Sequence, residues 1–235
     1  MTEALTQALS ERLIDIQQVG KRYANGFEAL RGVNLQINAG EMVFLSGHSG
    51  AGKSTLLRCV AGIEAPTSGS IRISGQEVAR LKPAASMTLR RSLGLIFQDH
   101  KLLFNRSVFD NVALPLLIDG YPDEDLGRRA RAALNKVGLL EREKQFPVML
   151  SGGEQQRLCI ARAIVHRPSL VLADEPTGNL DEASARDILA MFQSFNQVGV
   201  TIVIATHDRT LLESKLARIV ALDHGRVSAA AQTGA

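Results

Sequence analysis

The chain of 235 residues carries a formal net charge of +3 and is 45% apolar, with a mean hydropathy of +0.03. This length suits one sizeable domain with a core large enough to fold on its own. The longest apolar run, residues 112–118, falls far short of the roughly 18–20 residues that cross a bilayer. The basic residues are dispersed along the chain, which favours solvated helix faces over a nucleic-acid surface. Composition therefore excludes a membrane-spanning subunit and argues against a nucleic-acid-binding protein.

The amino-terminal part of the chain predicts a small β-layer. Residues 1–10 are polar, without a basic start or an apolar signal core, so we predict a short extension and a cytosolic protein. Residues 13–19 alternate enough to predict an edge strand, and residues 32–37 alternate apolar with polar side chains before a turn at residues 38–40. Two strands in such close succession indicate an antiparallel layer.

A phosphate-binding loop follows. The apolar residues 42–45 predict a strand, a G-x-x-x-x-G-K-[ST] pattern comes next, and residues 54–58 open a helix, which is the context that such a loop requires. Glycines let backbone amides approach phosphates, Lys53 reaches the outer phosphates, and the Ser54 hydroxyl coordinates Mg²⁺. The helix dipole favours an anion at the same place. The sequence thus predicts ATP and Mg²⁺ binding by Gly47, His48, Ser49, Gly50, Ala51, Gly52, Lys53, Ser54 and Thr55.

The rest of the chain alternates strands with helices. Further strands are predicted at residues 70–73, 93–97, 170–173, 201–205 and 219–222. Helical patterns separate most of them, and this alternation is typical of an α/β fold with a largely parallel central sheet.

Residues 99–155 depart from that alternation. They are mostly helical in pattern and contain a charged amphipathic segment at residues 123–137. We predict a helical subdomain there, inserted into an ATP-binding core formed by residues 11–98 and 156–227. Residues 228–235 are small and polar and predict a frayed tail.

Candidate catalytic side chains follow three of the predicted strands. Asp174 and Glu175 come directly after residues 170–173, where ligands of open parallel sheets gather. We predict that Asp174 holds the magnesium ion through its water shell and that Glu175 polarises the attacking water as a general base. His207 follows residues 201–205 closely and is predicted to sense the γ-phosphate, and Gln98 ends its strand where it can contact metal or water. Each of these residue types also occurs at strand ends in purely structural roles.

A second anion-binding helix end is predicted at residues 151–154. Ser151 and Glu154 match the S-x-x-E capping box, and Gly152 and Gly153 leave the helix head bare, so that its N–H groups can face a phosphate. One chain already has a phosphate loop for its own nucleotide. The second helix end is therefore expected to serve the nucleotide of another copy, which predicts a dimer with two composite sites.

Together these motifs resemble the nucleotide-binding subunits of ATP-binding cassette (ABC) transporters. The resemblance covers nearly the whole chain and rests on the phosphate loop, Gln98, the segment Leu150-Ser151-Gly152-Gly153-Glu154-Gln155, Asp174-Glu175, the loop Gly178-Asn179-Leu180-Asp181, and His207. It implies a P-loop NTPase core of the RecA-like kind with an added β-layer and a helical subdomain. It also implies that Tyr23 stacks on adenine, that Asp181 belongs to the nucleotide site, and that two copies sandwich two ATP molecules.

The resemblance further implies a membrane partner. In this family the segment after Gln98 docks a short helix of the membrane protein, and Leu103, Phe104 and Phe109 are candidates for its apolar contact; the same three side chains also suit local core packing. Further residue combinations most resemble the cell-division branch of the family, whose membrane partner FtsX relays the ATP state to peptidoglycan hydrolases. The combinations are residues 47–53, 97–103, 110–116 and 196–201.

Two alternatives stay open at this point. An ATPase of lipoprotein release or macrolide export shares the short cassette and a similar partner, although Asp99-His100 argues against it. A non-transport ABC protein acting on DNA or ribosomes shares the dimer. Such proteins usually carry long coiled-coil insertions or two fused cassettes, whereas this chain has one compact cassette.

Overall fold

Two sheets and the helices around them form the protein. The computed structural model describes residues 12–214 and 216–228, so the predicted extension at residues 1–10 and all but the first residue of the predicted tail lie outside the described residues. The strands are Arg12–Arg22 (β1), Glu28–Asn38 (β2), Met42–Ser46 (β3), Ser68–Ile73 (β4), Gln76–Glu77 (β5), Gly94–Ile96 (β6), Leu170–Asp174 (β7), Thr201–Thr206 (β8), Arg218–Asp223 (β9) and Arg226–Val227 (β10). The helices are Lys53–Val60 (α1), Pro83–Ser92 (α2), Val108–Ile118 (α3), Asp123–Lys136 (α4), Gly152–Ile164 (α5), Glu182–Gln197 (α6) and Arg209–Glu213 (α7).

A six-stranded sheet forms the centre of the molecule. Its strand order is β10-β9-β3-β8-β7-β6, and all neighbours pair in parallel except the short β10, which is antiparallel to β9. Every residue of β3 and β8 is buried, which explains why residues 42–45 and 202–205 are continuous apolar runs rather than alternating ones. The predicted α/β fold with a mostly parallel sheet is confirmed.

The antiparallel layer corrects one prediction. The four strands of this sheet run in the order β2-β1-β4-β5, so β1 is an interior strand and the expected edge position for residues 13–19 was wrong. Ile14 faces Ile37 of β2 on one side and Ile73 of β4 on the other. The alternation of side chains in β1 shows which face of the sheet is buried, but not whether the strand has one neighbour or two. Its second neighbour, β4, lies about fifty residues further along the chain, so nothing in the local sequence of β1 indicates that pairing.

Three helices lie between β6 and β7 in the sequence and pack against each other and against one face of the central sheet. Helix α3 begins with a capping box between Ser107 and Asp110, and α4 presents a buried stripe that includes Ala130 and Leu134. Helix α5 buries Leu158 in the same core. The predicted boundary between the helical subdomain and the core, after residue 155, falls inside α5. One helix therefore continues from one predicted region into the other. No helix in the two described ranges has the length and apolar character needed to span a membrane.

Candidate active site

The phosphate loop occupies the turn between β3 and α1, and two of its glycines have no room for a side chain. Gly47 (φ +150°) and Gly52 (φ +106°) lie in the region that favours glycine. A Cβ atom would stand 2.4 Å from the Leu222 carbonyl oxygen at the first position and 2.5 Å from the Ala29 carbonyl oxygen at the second. The loop is therefore pressed between β9 and β2, with its backbone held in one conformation.

Lys53, the first residue of α1, carries a buried positive charge in the middle of the site. Its side chain is 6% exposed, and Nζ donates hydrogen bonds to the carbonyl oxygens of Gly47 at 2.7 Å and His48 at 3.3 Å. The same Nζ lies 3.5 Å from Glu175 Oε1. A buried ammonium needs such partners. The contacts hold the Lys53 ammonium against the phosphate loop, where it is expected to bind the phosphates of ATP.

Ser54 and Asp174 meet although they are far apart in the sequence. The Ser54 hydroxyl donates to Asp174 Oδ1 at 2.9 Å, at the carboxyl end of β7. Burial raises the pKa of Asp174 above its ordinary value, against the lowering effect of the Ser54 hydrogen bond. A hydroxyl and a partly desolvated carboxylate form an oxygen donor set that suits Mg²⁺, so the two residues fit the predicted metal role.

Glu175 has one carboxylate oxygen engaged and one unpaired. Its backbone is left-handed (φ +48°), and its N–H donates to the Ala205 carbonyl oxygen at 2.9 Å. Oε1 lies 2.9 Å from His207 Nδ1, while Oε2 is buried and has no hydrogen-bond partner among the described residues. Strain of this kind in a non-glycine residue is concentrated at functional sites. Glu175 is therefore held in place through both its backbone and its side chain.

A cavity of about 210 Å³ joins these groups. The structure brings together most of the residues predicted from sequence here, including Gln98 and His207. The lining residues are Phe27, Ala29, Ser49, Gly50, Ala51, Gly52, Lys53, Ser54, Thr55, Gln98, Glu175 and His207.

Two aromatic residues, Tyr23 and Phe27, lie at or beside the cavity. Tyr23 is not among the lining residues; its hydroxyl lies 3.3 Å from Thr55 Oγ1 and Lys21 Nζ lies 5.2 Å from its ring centre. Phe27, which sequence reasoning missed, lines the cavity and is 54% exposed. The available signal was a phenylalanine directly after Gly26, in the segment between two predicted strands.

The segment Ser151–Glu154 lies outside this cavity. Glu154 N–H donates to Ser151 Oγ at 3.3 Å and Ser151 N–H donates to Glu154 Oε2 at 2.9 Å, so the capping box at the head of α5 is confirmed. The hydrogen bond from the Ser151 backbone lowers the pKa of Glu154. A Cβ on Gly152 would meet nothing within 4 Å. The head of α5 therefore has room for a ligand, and it lies outside the cavity at the phosphate loop of the same chain.

Asp181 lies beside that helix head and not in the cavity. It caps α6 by accepting from Ser184 N–H at 3.0 Å and from the Ser184 hydroxyl at 2.7 Å, and the hydrogen bond from the Ser184 backbone lowers the pKa of Asp181. Ser184 Oγ in turn stands 3.2 Å from the position of a Cβ on Gly153. The structure thus groups Asp181 with residues 151–154, away from the phosphate loop of the same chain.

Comparison with known proteins decides the family. Residues 30–178 match the family model described as ABC transporter, which is more than half of the chain. The chain belongs to the ABC transporter family. As a member it binds and hydrolyses ATP, and the phosphate loop, Gln98, Glu175 and His207 all meet at one cavity.

Curated relatives align with nearly the whole chain. The chain is 53% identical over 215 residues to the cell division ATP-binding protein FtsE of Escherichia coli (strain K12), covering 92% of this chain and 97% of the relative. It is 40% identical over 213 residues to the protein of the same name from Bacillus subtilis (strain 168), covering 91% and 93%. The protein of that name from Mycobacterium tuberculosis (strain ATCC 25618 / H37Rv) is 42% identical over 223 residues, covering 94% and 97%.

Solved ABC cassettes share the fold. The dimeric post-hydrolysis state of the ATP-binding cassette MJ0796 bound to ADP and Pi superposes with a TM-score of 0.85 at 33% identity, covering 92% of this chain and 96% of that chain. CbiO1 of Clostridium perfringens, part of the transporter complex cbiONQ, superposes with a TM-score of 0.84 at 29% identity, covering 93% and 87%. The predicted ABC ATPase fold is confirmed, including the β-layer and the helices between β6 and β7.

Replacing Glu175 with Gln tests the general base. The amide keeps the size of the side chain but cannot take up a proton, so we expect turnover to fall on the order of a hundredfold or more, with ATP still bound. Steady-state phosphate release and nucleotide titration measure the two effects. Glu182→Gln, at an exposed position on α6 where Glu182 forms an ion pair with Arg186, is the matched control and should leave turnover within about twofold. Unchanged turnover in Glu175→Gln would remove Glu175 from this role.

The aromatic contact to adenine is tested at both Tyr23 and Phe27. We expect Tyr23→Ala to weaken ATP binding by about 1 kcal/mol, roughly fivefold in Kd, because a stacked ring contributes about that much. Tyr23→Phe keeps the ring and removes only the contact with Thr55, so it should bind ATP almost as the parent does. Calorimetric titration of these variants and of Phe27→Ala compares them. Loss of affinity in Phe27→Ala with none in Tyr23→Ala would transfer the stacking role to Phe27.

Proposed function

We propose that this chain is the ATP-binding and ATP-hydrolysing subunit of a bacterial cell-division complex of the FtsEX type. It lies at the cytoplasmic face of the plasma membrane, held there by an integral membrane partner resembling FtsX. Through that partner it relays the ATP state to peptidoglycan hydrolases on the other side of the membrane. The similarity to proteins named FtsE from several bacteria, over more than nine-tenths of the chain, carries this proposal.

Mg²⁺ fits the donor set at the end of β7. Ser54 Oγ and Asp174 Oδ1 are 2.9 Å apart. Burial raises the pKa of Asp174, and a cation bound nearby would lower it again because it favours the charged carboxylate. The bound ion supplies positive charge to the phosphate oxygens. Ser54 and Asp174 would hold the ion, Asp174 through its water shell, and Gln98, which lines the same cavity, would be the third candidate ligand.

The remaining side chains suit in-line hydrolysis. The Glu175 carboxylate, which lines the cavity, accepts the proton of the attacking water as the water oxygen bonds to the γ-phosphorus and the bond from that phosphorus to the β-phosphate oxygen breaks. His207 holds Oε1 at 2.9 Å, which orients the carboxylate. Lys53 supplies charge that stabilises the phosphate oxygens. The donors and the base belong to α1, β7 and β8, whose relative positions are set by the parallel sheet.

The cavity of one chain forms only part of a nucleotide site. Its volume of about 210 Å³ is below the roughly 300–1,000 Å³ usual for ligand pockets, and the open helix head at Ser151 lies outside this cavity. We infer a homodimer in which Ser151, Gly152, Gly153 and Glu154 of one copy complete the phosphate site of the other. Asp181, grouped with Gly153 through Ser184, belongs to the same interface.

The segment after Gln98 supports docking of the membrane partner. Leu103 and Phe104 are 38% and 54% exposed, while Phe109 is half-buried and lies under the Arg131 guanidinium. Asn111 holds Leu103 in place by accepting from its N–H at 2.8 Å and donating to its carbonyl oxygen at 3.0 Å. The partner contact is therefore assigned to Leu103 and Phe104, and Phe109 belongs to the local core.

Ser151→Arg tests the composite site, in the Glu175→Gln background that retains ATP. The added charge and bulk at the helix head should block ATP-dependent dimerisation, while each monomer still binds nucleotide through its own phosphate loop. Light scattering after size exclusion, with and without ATP and Mg²⁺, measures the dimer. Ser151→Ala is the control, because it removes the cap at a cost of about 1 kcal/mol without adding bulk, and it should still dimerise. An intact dimer in Ser151→Arg would refute the arrangement, and lost nucleotide binding would indicate a role within the same chain.

Partner capture tests the cell-division assignment. The Glu175→Gln form loaded with ATP is used to retain proteins from detergent-solubilised membranes of the native host, which are then identified by mass spectrometry. We expect an FtsX-type permease together with cell-wall hydrolase factors. Phe104→Asp in the same background is the matched control; it should lose the permease and keep ATP binding, because Phe104 lies outside the nucleotide cavity.

The other outcomes of that capture separate the alternatives. Recovery of a lipoprotein-release or macrolide-export permease would replace cell division with transport. Recovery of DNA-binding or ribosomal proteins alone would overturn the membrane assignment, while the ATPase activity would stand on the family and on the Glu175 result.

A further inference from the structure

Three metal-ligating side chains meet on the outer side of the phosphate loop. His48 Nε2 lies 3.3 Å from Asp223 Oδ1, and His224 Nε2 lies 3.7 Å from the same oxygen. One ligand atom from each residue lies within 4.8 Å of the other two, and all three residues are exposed. None of them lines the nucleotide cavity, so the His48 side chain points away from it although its backbone belongs to the loop.

The backbone holds this cluster together. The turn between β9 and β10 places His224 (φ +44°) and Gly225 (φ +79°) in left-handed conformations, as tight hairpin turns require. Gly225 N–H donates to the Ala51 carbonyl oxygen at 3.0 Å, and a Cβ on Gly225 would come 2.7 Å from the Ala29 carbonyl oxygen. The turn is thus attached to the phosphate loop at a second point, independent of the side chains of the cluster.

Hydrogen bonding decides which nitrogen of His48 is free to bind. Nδ1 lies 2.7 Å from the Ser49 carbonyl oxygen, and a carbonyl oxygen only accepts, so Nδ1 carries the hydrogen. In a neutral imidazole, Nε2 then presents its lone pair, and that lone pair faces the Asp223 carboxylate. A proton or a metal ion placed between these two acceptors, which are 3.3 Å apart, would be bound by both. In metal-binding histidines, the ring N–H that faces away from the metal usually donates a hydrogen bond to a carbonyl or carboxylate oxygen.

We propose that His48 Nε2, His224 Nε2 and the Asp223 carboxylate form a binding site for a transition-metal ion of the Zn²⁺ class. Ligands at the usual Zn–N and Zn–O distances of about 2.0–2.2 Å stand roughly 3.3–3.5 Å apart around a tetrahedral ion. The separation of 3.3 Å between His48 and Asp223 has this spacing, whereas the 3.7 Å between His224 and Asp223 and the His48–His224 separation, which is within 4.8 Å, require a small closing of the cluster around the ion. Two imidazoles favour Zn²⁺, Cu²⁺ or Ni²⁺ over Mg²⁺ and Ca²⁺, which separates this site from the magnesium site at Ser54 and Asp174.

Metal binding would connect two elements that flank the nucleotide. His48 belongs to the phosphate loop, Asp223 ends β9 and His224 begins the turn after it, so an ion bound to all three would restrain the loop from its outer side. The site is open, because three protein ligands leave a position for water.

The test measures Zn²⁺ binding by calorimetry on the full-length chain prepared without a polyhistidine tag and without nucleotide. We expect one ion per chain and a rise of a few degrees in the unfolding temperature at saturating Zn²⁺. Asp223→Asn and His224→Asn should each weaken Zn²⁺ binding at least tenfold. Asn is used at position 224 because it tolerates the left-handed backbone. His100→Asn is the matched control, since it removes a histidine from another left-handed position and should bind Zn²⁺ as the parent does.

The readouts separate a metal site from a proton-bridged contact. Both turn variants lie outside the nucleotide cavity and should keep the parent's ATPase rate and its unfolding temperature without metal, which verifies that they fold. The proposal is overturned if the parent chain binds no Zn²⁺ at about 100 μM, or if neither turn variant changes the affinity. Imidazole resonances of His48 and His224 that respond to pH but not to Zn²⁺ would identify a proton between the groups instead and would also overturn it.

Discussion

The buried ammonium group of Lys53 is the charge around which the active site is arranged. A desolvated cation is costly unless hydrogen bonds and opposite charge surround it. Two loop carbonyl oxygens and the Glu175 carboxylate provide that environment. Glu175 therefore has to lie close to α1, and it reaches that position through a left-handed backbone conformation held by Ala205 of β8. The phosphate loop, β7 and β8 are thus connected through one side chain.

The parallel sheet explains why these groups converge. Strands β3, β8 and β7 are neighbours, and their carboxyl ends carry the phosphate loop, His207 and the pair Asp174 and Glu175, in that spatial order. Parallel pairing brings all three ends to the same edge of the sheet. The order along the chain is different, because β8 is inserted between β3 and β7 although it comes last of the three. Side chains from distant parts of the sequence therefore share one cavity.

The helical region has a different relation to the site. Its open helix head at Ser151 and the neighbouring Asp181 are grouped with each other and not with the phosphate loop of the same chain. The turn after β9 lies against the outer side of the phosphate loop, where Gly225 N–H donates a hydrogen bond to the Ala51 carbonyl oxygen. The phosphate loop is thus held by contacts to β2 and to the turn after β9 of its own chain, and the proposed homodimer would complete the face toward the nucleotide. This division suits an enzyme whose chemistry depends on assembly.

The sequence by itself determined the phosphate loop, the capping box at Ser151, the buried strands and the α/β class, because each rests on local spacing that the chain carries wherever it folds. Tertiary structure alone decided that β1 is an interior strand, because its partner β4 is distant and strand alternation reports faces and not edges. It also decided that Phe27 lines the cavity and that His48 points to Asp223 and His224. Side-chain direction in a loop depends on which strands pack against it, and no local pattern encodes that packing.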